Sequence, residues 1–197
     1  MNDSTEFKIS VNIDTSEQEF IKELKSGSEK AFSKLIQENQ TKVYRIALSL
    51  VKNPTDAEDI AQEVFIRIYT SINSFKGNSS LSTWIYKITY NRALDFIKRN
   101  NKKLKTTKTL DDPEDTEILN LSGDRFIPEK EFEDKQLKLE LEKALTNLPE
   151  DQRLLIELKD VHGFSYEEIM QITGLKEGTM KSRLNRARAL LRKMLQS

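Results

Sequence analysis

Three carboxylates, Asp56, Asp59 and Glu63, sit where a helix would line them on one face. Such a trio could hold Mg²⁺ for phosphodiester cleavage. Carboxylates from a single exposed helix rarely enclose a metal, however, and no second acidic cluster faces them. A nuclease is therefore the weakest of the readings. The chain has no cysteine and one histidine, His162, so thiolate metal sites, disulfides, cysteine nucleophiles, multi-histidine metal sites and His-based triads have no residues to build them. His162, with no catalytic partner in view, reads as structural. Chemistry of a different kind is concentrated near the C-terminus. Around a helix at about 100° per residue, Met180, Leu184, Ala187 and Leu191 form one apolar stripe. Lys181, Ser182, Asn185 and Arg186 fall on the opposite side, with Arg183 and Arg188 on the flanks. Lys and Arg donate to guanine O6 and N7, Asn pairs with adenine, and flanking arginines suit phosphates. That row can read base edges in a DNA groove.

The elements that must position this row are legible around it. Ser165-Tyr166-Glu167-Glu168 is a capping-box pattern that starts a short helix, over about 165–173, with Ile169 and Ile172 inward. Gly174 suits its C-terminal stop, and a basic helix from about Glu177 to Leu195 follows. A short helix, a tight turn and a basic helix make a helix-turn-helix. Upstream, apolar residues recur at helical spacing over Phe20–Leu24, break at Ser26-Gly27-Ser28, and resume from Ala31 to Val51 until Asn53-Pro54. Thr55 to Glu58 reads as a second capping box, with Thr55 as N-cap, opening a helix that carries Ile60, Ala61, Val64, Phe65, Ile68 and Tyr69 on one face. Residues 74–82 form a loop around Gly77. A helix over about 82–99 follows, aromatic at first (Trp84, Tyr86, Tyr90, Phe96) and basic towards its end. After Pro149, a helix runs over about 152–161. No strand pattern of consequence appears, so the fold class is all-α.

The 197 residues carry 32 basic and 32 acidic side chains, yet the balance hides segregation. Residues 87–105 hold seven bases and one acid, residues 176–197 hold seven bases and one acid, and residues 107–134 hold ten acids and three bases. Two basic modules joined by an acidic spacer suit contact with a polyanion at two places. No apolar run reaches the roughly 18 residues of a membrane span. The N-terminus lacks the basic start and apolar core of a secretory signal, so a cytoplasmic location is expected. The divisions expected are a tail over 1–16, a first helical domain over 17–105, a linker over 106–135 and a second helical domain over 136–197.

The residues that carry these patterns resemble a known family. Leu148-Pro149-Glu150-Asp151-Gln152-Arg153, Gly163 through Ile169, and Glu177 through Arg188 resemble region 4 of a sigma factor, and more narrowly the extracytoplasmic-function (ECF) group of the sigma-70 family. Asp56 through Phe65, Phe75-Lys76-Gly77-Asn78-Ser79 and Thr83 through Ile88 resemble region 2 of the same group. The order and spacing agree over nearly the whole chain beyond residue 16. Two departures stand out. Lys176 stands where a capping Ser is usual, and Asn78 where an acid is common.

The resemblance implies a sigma factor in the transcription-initiation machinery, often tied to stress response, with no catalytic activity, cofactor or small-molecule substrate. Its implied partners are core RNA polymerase (through the β′ clamp helices and the β flap), promoter DNA, and an anti-sigma factor that in many members is membrane-bound. Asp56, Glu58, Asp59, Gln62, Glu63 and Arg67 match the polymerase-binding helix. Acids in a first helical turn also serve the helix dipole, so Glu58 has a plain structural reading too. Phe75, Lys76, Asn78, Ser79 and Asn91 match the pocket for a base flipped from the melted −10 element, which needs an apolar wall and polar groups for the base edge. Asn91 could equally bond within the protein. Tyr86 and Tyr90 stand between packing and DNA-facing roles, and Trp84 reads more as core. Arg92, Lys98, Arg99, Lys102 and Lys103 would hold phosphates. Lys181, Ser182, Asn185 and Arg186 match readers of the −35 duplex, with Thr179, Arg183 and Arg188 on its phosphates. The linker would run near the polymerase cleft. A stand-alone helix-turn-helix regulator explains residues 136–197 and leaves the first domain unexplained.

Overall fold

In the computed structural model, residues 15–106, 140–141 and 143–196 are described, the last six residues of the first stretch by backbone alone. The chain is predominantly helical over them, with no strand among the described residues. Helix α1 spans Thr15–Lys25, α2 Glu29–Val51, α3 Pro54–Ser71 and α4 Leu81–Thr106, with a 3₁₀ turn at Ile72–Ser74. Residues 140–141 and 143–146 are helical. Then come α5, Glu150–Ile156, a π-helical turn at Glu157–Val161, α6, Tyr166–Thr173, and α7, Glu177–Leu195. Thr106, the first residue of the linker expected over 106–135, ends α4 instead; the rest of that linker, and Lys102 and Lys103 as phosphate contacts, lie outside the described residues and side chains.

Local chemistry sets the boundaries. Ser28 caps α2 by accepting from the Ala31 N–H at 3.3 Å, and Lys52 closes it in the left-handed region at φ 61°. The N-cap of helix α3 lies two residues before the expected Thr55. Asn53 is the N-cap, its Oδ1 accepting from the Asp56 N–H at 3.0 Å, and Pro54 occupies the first helical position. A proline needs no partner for a missing N–H there, and its fixed φ already suits the helix. Helix α4 runs past Arg99 to Thr106, because Asn100–Thr106 contains neither Gly nor Pro to stop it. The helix expected over 152–161 widens halfway, where the His162 N–H reaches back five residues to the Glu157 carbonyl at 3.0 Å.

The first four helices bury Leu24, Leu35, Val43, Ile46, Ile60, Val64, Ile68 and Ile85, and the last three, with Leu158 of the π turn, bury Leu155, Ile169, Ile172, Met180 and Leu184, in one continuous core. Tyr69, expected on the inward face of α3, is instead 60% exposed, edge-on to Phe32, and Ile66 is 65% exposed. The two halves meet along α2 and α4 on one side and α5, the π turn and α6 on the other. Polar contacts cross the boundary. Arg45 pairs with Glu157 at 3.0 Å, the Arg153 Nε–H donates to the Ser49 carbonyl at 2.9 Å, and Lys52 meets Glu150 at 3.2 Å.

Candidate nucleic-acid interface

The helix-turn-helix is built from short-range signals. Ser165 Oγ accepts from the Glu168 N–H at 3.1 Å, and Glu168 Oε2 accepts from the Ser165 N–H at 2.9 Å, closing the capping box in both directions. Gly174 ends α6 at φ 71°, a conformation that favours glycine. Lys176 is the N-cap of helix α7 and gives it no side-chain cap. Met180, Leu184 and Ala187 are buried beneath it, Leu191 is partly buried, and Thr179, Lys181, Ser182, Asn185 and Arg186 are all exposed. The Lys181 ammonium lies 2.6 Å from Glu177 and over the Tyr166 ring. The hydrogen bond to Glu177 holds its pKa above the ordinary lysine value. The guanidinium groups of the flanking arginines are held by carboxylates. Arg183 pairs with Asp151 at 3.0 Å, and the Arg188 Nε–H donates to Asp160 at 3.0 Å. The exposed row is thus a rigid strip of donors and acceptors with oriented cations at its edges.

The loop between the 3₁₀ turn and α4 is built differently. Phe75 is buried against Trp84, ring centroids 5.3 Å apart, so it forms the floor of the loop. Gly77 turns the chain at φ 72°, and Lys76 and Asn78 are exposed while Ser79 is half-buried. Both loop ends are held from α1. Lys25 Nζ donates to the Phe75 carbonyl at 2.8 Å, and the Leu81 N–H donates to Glu17 Oε1 at 2.8 Å. Glu168 also reaches this place from the other domain, its Oε1 accepting from Thr83 Oγ1 at 3.1 Å and from Ser80 Oγ at 3.4 Å. Glu17, Lys25, Ser80, Thr83 and Glu168 went unseen in the sequence as loop residues. Only the capping role of Glu168 left a local mark, since the other partners lie 50 or more positions apart.

On α4 the expected residues separate. Tyr86 is 1% exposed, its hydroxyl donating to Asn39 Oδ1 at 3.0 Å and its ring edge-on to Phe164 and stacked on His162. Burial pushes its pKa up to about 12. In this closed arrangement Tyr86 is a packing residue at the boundary between the domains. Tyr90 is half-buried, and burial raises its pKa, with Arg183 opposing and Asp151 adding. Trp84 is partly buried on the core. Arg92 forms an ion pair with Glu63 on α3. The two line a groove of about 590 Å³ with Ile66, Arg67, Ile88, Asn91 and Asp95. Asn91, Lys98 and Arg99 are exposed. Along α3, Glu58, Asp59, Gln62 and Arg67 are exposed, and Asp56 and Glu63 are half-buried. Asp56, Asp59 and Glu63 do not come together, and no cluster of three metal-ligating side chains occurs among the described residues. No helix there is long and apolar enough to cross a membrane. His162 sits beneath Tyr86 with its Nε2 3.7 Å from Glu157. Burial lowers its pKa, Glu157 opposes that, and Lys42 and Arg45 add to it.

Comparison with known proteins agrees with this division. The family model of Sigma-70 region 2 matches residues 35–103, and that of Sigma-70, region 4 matches residues 138–191. The ECF RNA polymerase sigma-E factor of Haemophilus influenzae is 32% identical over 181 residues, covering 91% of this chain and 95% of the relative. The ECF RNA polymerase sigma factor SigW of Bacillus subtilis is 33% identical over 176 residues, covering 89% and 94%. Among solved structures, the sigma factor RpoE of Bartonella quintana, in complex with the anti-sigma factor NepR, superposes with a TM-score of 0.63 at 26% identity, over 85% of this chain and 98% of that one. CnrH, in complex with the cytosolic domain of CnrY, shares the fold with a TM-score of 0.60 at 20% identity, over 92% and 97%.

Proposed function

The chain belongs to the ECF group of the sigma-70 family and is a sigma factor directing transcription, and from that membership we infer that its two domains divide promoter reading between them. The α7 strip reads the −35 duplex in the major groove, with Lys181, Ser182, Asn185 and Arg186 on base edges and Thr179, Arg183 and Arg188 on phosphates. The loop of Lys76, Asn78 and Ser79, over its Phe75 floor, takes the melted −10 strand, with Asn91, Lys98 and Arg99 alongside. Tyr90 is the aromatic at its edge, and Arg92 turns to phosphate on leaving Glu63. Helix α3 docks on core RNA polymerase through Glu58, Asp59, Gln62 and Arg67, with Asp56 and Glu63 beside them, and region 4 meets the polymerase flap. The protein has no chemistry of its own, works in the cytoplasm, and is held in check by an anti-sigma factor, a partner that the RpoE–NepR complex supports by analogy.

One observation carries the −35 assignment: four polar, base-competent side chains stand exposed in one row, directly opposite a buried stripe on the second helix of a helix-turn-helix. A geometric consequence follows for the whole molecule. Elements named −35 and −10 lie about 25 base pairs apart, roughly 85 Å at about 3.4 Å per pair. The −10 loop here is hydrogen-bonded to the helix-turn-helix through Glu168. Helix α7, at 19 residues, spans only about 29 Å. The two readers cannot reach both elements while the domains are closed on each other, so promoter engagement separates them.

The test is reconstituted transcription, with purified protein and bacterial core polymerase on random promoter fragments and core alone as the control. Discrete transcripts that require this protein, with two enriched upstream elements, are the expected result. Specific duplex binding by the protein alone, without protein-dependent initiation by an active core, would establish a stand-alone regulator instead.

A further inference from the structure

We propose that Glu17 and Lys25 of α1 are positioning residues for promoter opening: they hold the two ends of the loop at 75–81 so that Lys76, Asn78 and Ser79 meet the −10 strand already shaped. The proposal rests on the reading of that loop as the −10 contact. Helix α1 lies outside the stretch matched to Sigma-70 region 2, which begins at residue 35. It is nonetheless anchored in the core by Ile21 and Leu24. From one face it sends two charged side chains to backbone groups of the loop. Lys25 Nζ donates to the Phe75 carbonyl at 2.8 Å, and Glu17 Oε1 accepts from the Leu81 N–H at 2.8 Å.

These two backbone groups are the ones a loop of this kind leaves open. The Leu81 N–H is the first of α4, one of the orphan donors at a helix start, which no residue within its own helix can satisfy. Glu17 supplies the acceptor and places a negative charge at the positive end of the helix dipole. The Phe75 carbonyl marks the point where the chain leaves the 3₁₀ turn, and Lys25 fixes its direction. Between the two anchors the exposed residues are few and Gly77 is the flexible point. A loop with both ends fixed has fewer shapes to lose when a strand binds, so the same contacts yield a tighter complex. Glu17 and Lys25 need not touch DNA for this. Their effect passes entirely through loop shape, and it should show on the −10 strand and not on the −35 duplex.

The experiment uses the full chain assembled with core polymerase. Its probes are a −10 non-template single strand and a −35 duplex, both taken from the promoter recovered in the transcription selection. The variants are Glu17→Ala, Glu17→Gln, Lys25→Ala, the double Glu17→Ala/Lys25→Ala, and Asn78→Ala/Lys76→Ala as the reference for direct contact. The double α1 variant is expected to lose about tenfold in affinity for the −10 strand, the scale of one charge-assisted hydrogen bond, and to discriminate less between matched and mismatched −10 strands. Its binding of the −35 duplex stays within about twofold. Glu17→Gln keeps an acceptor oxygen for the Leu81 N–H and restores most of the loss, which a purely structural role for the charge would not predict. Amide exchange at Leu81 should quicken in Glu17→Ala and not in Glu17→Gln, which reads the anchor directly even if the double variant folds poorly. If Asn78→Ala/Lys76→Ala weakens −10 binding while every α1 variant behaves as the parent, the positioning role is overturned. If Asn78→Ala/Lys76→Ala has no effect on −10 binding, it is the reading of the loop that fails, and the positioning role falls with it. Equal losses on both probes would make α1 a general stabiliser, and that too overturns the proposal.

Discussion

In the proposed promoter reading, helix α7 and the loop at 75–81 do comparable work by opposite means. The helix carries its readers on a periodic scaffold. Met180, Leu184 and Ala187 are buried, the residues between them are exposed except the partly buried Arg183, and rigidity comes from backbone hydrogen bonds within the element. The loop has no period. Its shape comes from a buried aromatic floor, one left-handed glycine and charged anchors delivered by α1 and, in the closed arrangement, by Glu168 of the other domain. A helical reader is thus robust to changes elsewhere in the chain, and a loop reader depends on residues 50 or more positions away. Domain closure also touches the loop at its C-terminal end, through Glu168 on Ser80 and Thr83.

Removing the two supports gives the largest effects. Phe75→Ala should cost about 3–5 kcal/mol and Leu184→Ala about 2–5 kcal/mol, since each empties a buried site that neighbours fill only in part. Chemical denaturation of the full chain checks both. Phe75→Ala should further abolish −10 strand binding in protein that remains folded, while −35 binding persists. Next comes Asn185→Ala. It touches nothing in the core, so stability should hold while discrimination at one −35 base pair falls by about 1–3 kcal/mol, read by competition with single-base duplex variants.

Glu168→Ala separates the two uses of one carboxylate. Loss of the capping box should destabilise region 4 by about 0.5–2 kcal/mol. Loss of the bridge to Ser80 and Thr83 should loosen the closed arrangement, visible as a larger radius in solution scattering. Ser165→Ala weakens the cap and spares the bridge, so only Glu168→Ala should expand the molecule. His162 gives a pH signature of the domain boundary. Its pKa is lowered, chiefly by burial, so the unfolded chain binds the proton first as pH falls below about 6.5. Stability is therefore complete above that value and declines through the acid side of it, and His162→Gln should flatten the slope. The smallest effect belongs to the exposed Lys52–Glu150 pair across the same boundary. Lys52→Ala should change stability by no more than about 1 kcal/mol, and less in high salt.

What could be read from sequence followed how local each signal was. The capping box at Ser165 and Glu168, the stop at Gly174 and the stripe of Met180, Leu184 and Ala187 span one to three turns, so residue type and spacing were enough. The start of α3 was misplaced by two residues because Asn53 and Thr55 can both cap. The proline between them held the deciding signal, since Pro54 is suited to a first helical position. Tyr86 stood undecided between packing and DNA because its partners, Asn39, Phe164 and His162, come from two other parts of the chain. The exposure of Ile66 and Tyr69 was decided in the same way, by which neighbours α3 has on either side.

The sequence by itself determined an all-α chain with two basic helical modules, because helical periodicity, caps and basic strips act within a few residues of one another, and the resemblance of its motifs to regions 2 and 4 pointed to the sigma-70 family. Only the tertiary structure decided how the loop at 75–81 is held and that Glu168 bonds to Ser80 and Thr83 at its end when the domains are closed. Those contacts join residues 50 to 88 positions apart, and a hydrogen bond over such a distance is set by how helices pack, which no local pattern of residue types records.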